Sequence, residues 1–74
     1  MRLVVCGRVQ GVGFRYFTRR EGERLGLVGW VKNTPNGDVE IEAEGREDKV
    51  ERFVEIVRKG PSASRVTDLQ IQNM

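Results

Sequence analysis

The chain has 74 residues, a length that allows one domain over residues 1–74. Its composition is 38% hydrophobic and 32% charged, with a formal net charge of +2, one cysteine and no histidine. These counts exclude an internal disulfide, histidine catalysis and zinc bound by histidine. No apolar stretch approaches the roughly 18 residues of a membrane helix and no signal peptide is visible, so the sequence predicts a soluble cytoplasmic protein with no membrane partner.

The first half of the chain predicts a strand, a loop, a helix and a second strand. Residues 3–6 are a short β-branched run typical of a central strand, and residues 7–13 contain three glycines that indicate a loop. Residues 14–25 have the apolar spacing of a helix, and Gly26 is a suitable left-handed stop. Residues 27–33 are predicted to form the second strand.

The second half predicts a hairpin, a helix and a last strand. Residues 34–38 form the turn, because Asn36-Gly37 is a strong hairpin signal, and Val39–Glu44 alternates apolar and acidic residues as a half-buried strand does. Residues 47–58 carry one apolar stripe, with acids early and bases late. In the last predicted strand, Arg65–Gln72, Val66 is out of phase with the later apolar residues, which predicts a bulge or a late start.

This order of elements predicts an α+β fold, a ferredoxin-like βαββαβ sandwich. Two right-handed βαβ crossovers joined by a hairpin give one antiparallel sheet covered on one face by two helices. We assign Phe17, Trp30 and Phe53 to its core.

The glycine-rich segment, residues 7–15, has a composition that favours anion binding. A strand that runs through a glycine loop into a helix start directs backbone N–H groups and the positive end of the helix dipole at one point. The predicted N–H donors are Gln10, Gly11, Val12, Gly13 and Phe14. The loop is neither a Walker loop nor a dinucleotide fingerprint, since the required residues and spacing are missing.

Arg15 follows this loop in the first predicted helical turn, where a positive charge opposes the dipole. A bound anion would explain that position, because a guanidinium can bind two phosphate oxygens at once. The alternative is a solvated Arg15, or one that pairs with a carboxylate such as Glu21. Asn33 ends the second predicted strand and is interpreted either as a turn residue or as a carboxamide that holds a water molecule beside the loop.

Two segments of the chain resemble the signature segments of the acylphosphatase family. They are Gly7-Arg8-Val9-Gln10-Gly11-Val12-Gly13-Phe14-Arg15 and Gly29-Trp30-Val31-Lys32-Asn33, and the likeness continues through Asn36-Gly37, Ala43-Glu44-Gly45, Phe53 and Lys59-Gly60-Pro61. The resemblance covers essentially the whole chain. It implies hydrolysis of the carboxyl–phosphate bond of small acyl phosphates, with no metal and no cofactor, and inorganic phosphate or sulfate as a further ligand.

The same resemblance assigns roles to residues of the glycine-rich segment and of the second strand. Arg15 corresponds to the phosphate-binding arginine, Asn33 to the water-positioning asparagine, and Gln10, Gly11, Val12, Gly13 and Phe14 to the phosphate loop. Members of the family usually continue into an extra edge strand, whereas this sequence stops at Met74. Two readings of that departure stay open: the extra strand is absent from the protein, or the sequence is a shortened form of it. The departure predicts an exposed sheet edge and either a monomer or a dimer paired through that edge.

Two other functions stay open at this point. One is a non-catalytic ferredoxin-like module that binds anions or RNA, although Glu40, Glu42 and Glu44 make the third strand acidic. Alternating charges along residues 19–24 and 47–52 also argue against a nucleic-acid partner, because such a partner usually meets a clustered basic stripe. The other is an acylphosphatase-like domain of a larger carbamoyl-transferring maturation protein.

Overall fold

The computed structural model describes residues 1–72, which form four strands and two helices; Met74 lies outside the described residues. The elements are β1 (Arg2–Arg8), α1 (Phe14–Arg24), β2 (Val28–Asn33), β3 (Val39–Glu44), α2 (Glu47–Lys59) and β4 (Arg65–Gln72). The strands form one antiparallel sheet in the order β2-β3-β1-β4. The predicted βαββαβ ferredoxin-like sandwich is therefore confirmed.

The core lies between the helices and one face of the sheet. Alternate residues of β1 and β3 are buried there, as the period-two pattern of strands requires. The predicted apolar stripe of α2 is also buried: Val50, Phe53, Val54 and Val57. Neither α1 nor α2 has the length and apolar character that a helix crossing a bilayer needs.

Helix α1 has a much smaller apolar face than α2. Its buried residues are Phe14, Thr18 and Gly22. A Cβ built on Gly22 would lie 3.5 Å from Cε1 of Phe53, which is an ordinary van der Waals distance. Gly26 follows the helix with a φ of 74°, which confirms the predicted left-handed stop.

The assignment of Trp30 to the core is wrong. In the ladder between the edge strand β2 and β3, Trp30 lies opposite Glu42, whereas its neighbour Val31 lies opposite the buried Ile41. Trp30 is consequently on the open face of the sheet and 39% exposed, with the Lys32 ammonium 5.0 Å from its ring centroid. Of the other two aromatics, Phe53 is buried and Phe17 is half-buried.

The predicted irregularity of β4 is confirmed as a bulge opposite the end of β1. Cys6 lies opposite Asp68 but Gly7 lies opposite Val66, so Thr67 is an extra residue on β4. Gly7 has a φ of 125°, and a Cβ there would lie 2.1 Å from the carbonyl oxygen of Arg65. Because of this pairing, β1 continues two residues beyond the strand predicted from sequence, and the loop begins after Arg8.

Candidate active site

The site begins at the N-terminus of α1, where the backbone leaves its hydrogen-bond donors unused. Gly13 is the N-cap residue in a left-handed conformation with a φ of 76°, and no side chain caps the helix. Gly11 has a similar φ of 73°. Within the described residues 1–72, none of the backbone N–H groups of residues 11–16 donates a hydrogen bond. The loop therefore presents a set of free donors at the positive end of the helix dipole.

These donors surround a depression of ≈ 270 Å³ at the surface. The residues that line it are Val9, Gly11, Gly13, Phe14, Arg15, Tyr16 and Asn33. Five of the residues singled out in the sequence thus come together, although Arg15 belongs to α1 and Asn33 to the end of β2. Gln10 and Val12, which were predicted with them, do not line the depression.

Gln10 contributes to the site in a way that the sequence did not indicate. Its amide Nε2 donates to the carbonyl oxygen of Thr34 at 2.9 Å and to that of Asp38 at 2.7 Å. The side chain of Gln10 is therefore a positioning group that ties the glycine loop to the turn between β2 and β3. Val12 is half-buried and packs against the core.

The turn after β2 is held by hydrogen bonds within residues 34–38. Thr34 donates its N–H to the carbonyl oxygen of Asp38 at 2.9 Å, and its hydroxyl accepts from the N–H of Asp38 at 3.1 Å. The Thr34 hydroxyl also bonds to the Asn36 side chain. Asn33 lies opposite Val39, which is fully buried, so the ladder places Asn33 on the face of the sheet that carries the helices.

Arg15 is exposed at the depression and, among residues 1–72, forms no ion pair. The alternative pairing with Glu21 is wrong, because Glu21 Oε1 lies 2.8 Å from Arg24 Nη2 and its other oxygen lies 3.9 Å from Arg20 Nε. The neighbouring Tyr16 is 69% exposed. The depression therefore combines a free guanidinium, free N–H groups and a carboxamide, which are complementary to a small anion with a water beside it.

Other side chains with possible chemistry lie elsewhere. Cys6 is half-buried on β1, and its burial, reinforced by the nearby Asp38, raises the pKa of the thiol above its ordinary value. In the part of the chain that the structure describes, no three acidic or cysteine side chains cluster closely enough to hold a metal ion.

Comparison with known proteins identifies the family of this chain. A family model described as Acylphosphatase matches residues 1–74. The chain belongs to the acylphosphatase family. It is 53% identical over 70 residues to the acylphosphatase of Bacillus subtilis, a match that covers 95% of this chain and 77% of that relative. With the Bacillus licheniformis acylphosphatase it shares 48% identity over 71 residues, covering 96% and 79%.

Solved structures, among them that of an acylphosphatase, also match this chain. The crystal structure of the acylphosphatase from Bacillus subtilis matches with a TM-score of 0.91 and 54% identity, covering 93% of this chain and 77% of that one. Full-length HypF, in its phosphate- and nucleotide-bound form, also matches with a TM-score of 0.84 and 35% identity. This second match covers 93% of this chain but 9% of HypF. The acylphosphatase fold thus also occurs as a small part of a much larger protein.

Proposed function

We propose that this chain is an enzyme that hydrolyses the carboxyl–phosphate bond of small acyl phosphates, releasing a carboxylate and inorganic phosphate. Membership of the acylphosphatase family supports this activity. The observation that carries the residue roles is the meeting of Arg15, Asn33 and the glycine loop at one depression. Neither a covalent intermediate nor a metal is needed in the proposed reaction.

The phosphoryl group of the substrate binds at the start of α1. Its oxygens accept hydrogen bonds from the backbone N–H groups of residues 11–16, which have no other acceptor among the described residues. Arg15 adds two N–H donors from one planar guanidinium and neutralises charge that develops on the phosphoryl oxygens. We propose that inorganic phosphate, the product, and sulfate bind in the same place.

The attacking water binds to the carboxamide of Asn33, which can donate one hydrogen bond and accept another. Asn33 is far too weak a base to remove a proton, so its proposed role is orientation of the water. The oxygen of the water bonds to phosphorus while the bond from phosphorus to the acyl oxygen breaks. The carboxylate leaves as a stable anion, and the phosphate oxygens take the proton from water, so no general acid is required.

The Gln10 side chain supports this arrangement from outside the depression. The loop that binds phosphate and the turn that follows Asn33 are distant in sequence, and the two hydrogen bonds of Gln10 Nε2 join them. Their separation fixes the distance between phosphorus and the attacking water, and small errors in such a distance slow a reaction strongly.

The test of this proposal is hydrolysis of benzoyl phosphate in the presence of a metal chelator. Turnover should persist with chelator, and Asn33→Ala should lower kcat by roughly 10²-fold or more, while binding of inorganic phosphate stays unchanged. Gln70→Ala, which removes an exposed carboxamide from β4, away from this turn, is the control and should retain turnover. An Asn33→Ala protein with wild-type kcat would show that Asn33 has no role in positioning water.

The similarity to acylphosphatases favours hydrolysis over a non-catalytic module that binds anions or RNA. The open sheet face is also unfavourable to RNA: the exposed Trp30 lies opposite Glu42, and Lys32 lies 3.8 Å from a carboxylate oxygen of Glu40. Titration with single-stranded RNA should give no salt-sensitive binding. A cytoplasmic location, the extent of the domain as residues 1–74 and the choice between a monomer and an edge-paired dimer stay predictions.

A further inference from the structure

The depression at the start of α1 carries an aromatic ring that the proposed reaction does not use. Of the side chains that line it, those of Val9 and Phe14 belong to the core, each 1% exposed. Arg15 and Asn33 already have proposed roles. Tyr16 also lines the depression, and its side chain is 69% exposed. Its ring is therefore the apolar surface that this depression offers to the part of a ligand that is not phosphate.

The position of Tyr16 in α1 determines where the ring lies. Tyr16 is the third residue of the helix, and helical side chains lean toward the N-terminus, so the ring covers the first turn beside the free N–H groups. Tyr16 is two residues from the buried Phe14 and two from the buried Thr18, which places it about 200° around the helix axis from each. The ring consequently lies on the side of α1 that faces away from the sheet.

The ring of Tyr16 is held in place by Arg20, one helical turn later. The guanidinium carbon of Arg20 lies 5.8 Å from the ring centroid, a distance at which a cation is attracted to an aromatic face. This contact restricts the rotamers of Tyr16 before any ligand binds. A ring that is already restricted loses less conformational entropy when a ligand packs against it.

The direction of the proposed reaction brings the acyl group to this ring. The attacking water and the leaving acyl oxygen lie on opposite sides of phosphorus, roughly in line. The water binds to Asn33, which lies on the sheet, on the face that carries the helices. The acyl group therefore leaves phosphorus on the side away from the sheet, which is the side of Tyr16.

We propose that Tyr16 is a specificity-determining residue, whose ring packs against the acyl group of the substrate and favours a flat aromatic acyl group over acetyl; this rests on the proposed hydrolysis. Two offset or edge-to-face rings attract each other beyond the effect of the area they bury, whereas an acetyl group offers one methyl group to the ring. The ring does not contact the phosphoryl oxygens, so binding of inorganic phosphate is independent of it.

The test compares kcat/KM for benzoyl phosphate and acetyl phosphate in wild type, Tyr16→Ala, Tyr16→Phe and Trp30→Ala. The ratio of the two values is compared between proteins, so the intrinsic reactivities of the substrates cancel. The benzoyl-to-acetyl ratio should fall by roughly 3- to 10-fold in Tyr16→Ala, as loss of one ring–ring contact implies. It should be unchanged in Tyr16→Phe, which keeps the ring, and in Trp30→Ala, which removes an exposed ring from the open face of the sheet.

Inhibition by inorganic phosphate is the second measurement, and its constant should be the same in Tyr16→Ala as in wild type. Three results would overturn the role of Tyr16 alone while hydrolysis persists. They are an unchanged ratio in Tyr16→Ala, an equal loss for both substrates together with weaker phosphate inhibition, and a loss in Tyr16→Phe as large as in Tyr16→Ala. A wild-type protein that hydrolyses neither acyl phosphate would instead overturn the proposed function, and the role of Tyr16 with it.

Discussion

The two helices of this protein carry opposite charges in their first turns. Helix α2 starts at Arg46 with two acidic residues, Glu47 and Asp48, in its first turn, and the Arg46 guanidinium lies 3.2 Å from an oxygen of Asp48. Helix α1 starts at Gly13, has no acid in its first turn and places Arg15 there instead. Neither N-terminus has a side-chain cap.

This difference separates a structural helix start from one that is available to a ligand. The carboxylates of α2 compensate its dipole from within the chain, whereas α1 leaves the same positive potential for an anion from outside. Both helices have basic residues in their last turns, Arg24 in α1 and Arg58 and Lys59 in α2, as the dipole favours. The charge that opposes the dipole is therefore confined to the N-terminus of α1. Residues at functional sites often lower the stability of the local structure, and Arg15 at the N-terminus of α1, the proposed phosphate site, is such a residue.

The largest effect should come from removing the arginine at the start of α1. Arg15→Ala should lower kcat/KM for benzoyl phosphate by about 10³-fold or more, because it removes the group that stabilises phosphoryl charge. Arg15→Lys should recover little of this loss, since an ammonium lacks the planar fork. The matched control is Arg46→Ala at the start of α2, which should leave turnover unchanged. Equal losses in the two alanine variants would mean that the effect comes from helix stability.

A smaller effect, on stability, should come from the glycine that opens α1. Gly13→Ala forces a left-handed backbone on alanine and should cost about 1–2 kcal/mol of unfolding free energy, although a Cβ there meets no atom within 4 Å. Gly22→Ala is the control within the same helix. It should stabilise by about 0.5–1 kcal/mol, because Gly22 has an ordinary helical position with room for a methyl group. Urea denaturation of both variants measures this; a stabilised Gly13→Ala would be inconsistent with the left-handed cap.

The smallest effect should come from exchanging the charge patterns of the two helix starts. Asp48→Asn should lower the unfolding free energy by about 0.3–1 kcal/mol, and Arg15→Glu should raise it by a similar amount in phosphate-free buffer. Added phosphate should raise the thermal midpoint of Asp48→Asn, as in wild type, but not that of Arg15→Glu. A destabilised Arg15→Glu protein without phosphate would show that α1 does not need an anion at its N-terminus.

The elements of this fold were predictable because their signals are local. The Asn36-Gly37 turn, the apolar stripe of α2 and the out-of-phase Val66 each depend on a few neighbouring residues. The position of Arg15 and Asn33 at one depression followed from topology, once the two crossovers were fixed. For these features, the spacing of residues in the sequence and the topology of the chain were sufficient to predict the structure.

The rest depended on contacts that local patterns do not encode. The side chain of Gln10 bonds to residues 24 and 28 positions away, and no local pattern specifies such a pair. Trp30 was misassigned because a large aromatic in a strand suggests burial, while its register opposite Glu42 on an edge strand places it on the open face. Thr18 is buried, and its hydroxyl has no hydrogen-bond partner within residues 1–72; this too depends on what packs around it.

The hydrogen bonds of Gln10 also have a consequence for the order of folding. Its amide reaches acceptors in the turn of the hairpin formed by β2 and β3, so the loop and the hairpin can each form early without being joined. The depression acquires its final shape when that hairpin docks and the amide closes the long-range contact. We therefore expect phosphate binding to require the finished tertiary structure, and its recovery during refolding to follow the return of secondary structure.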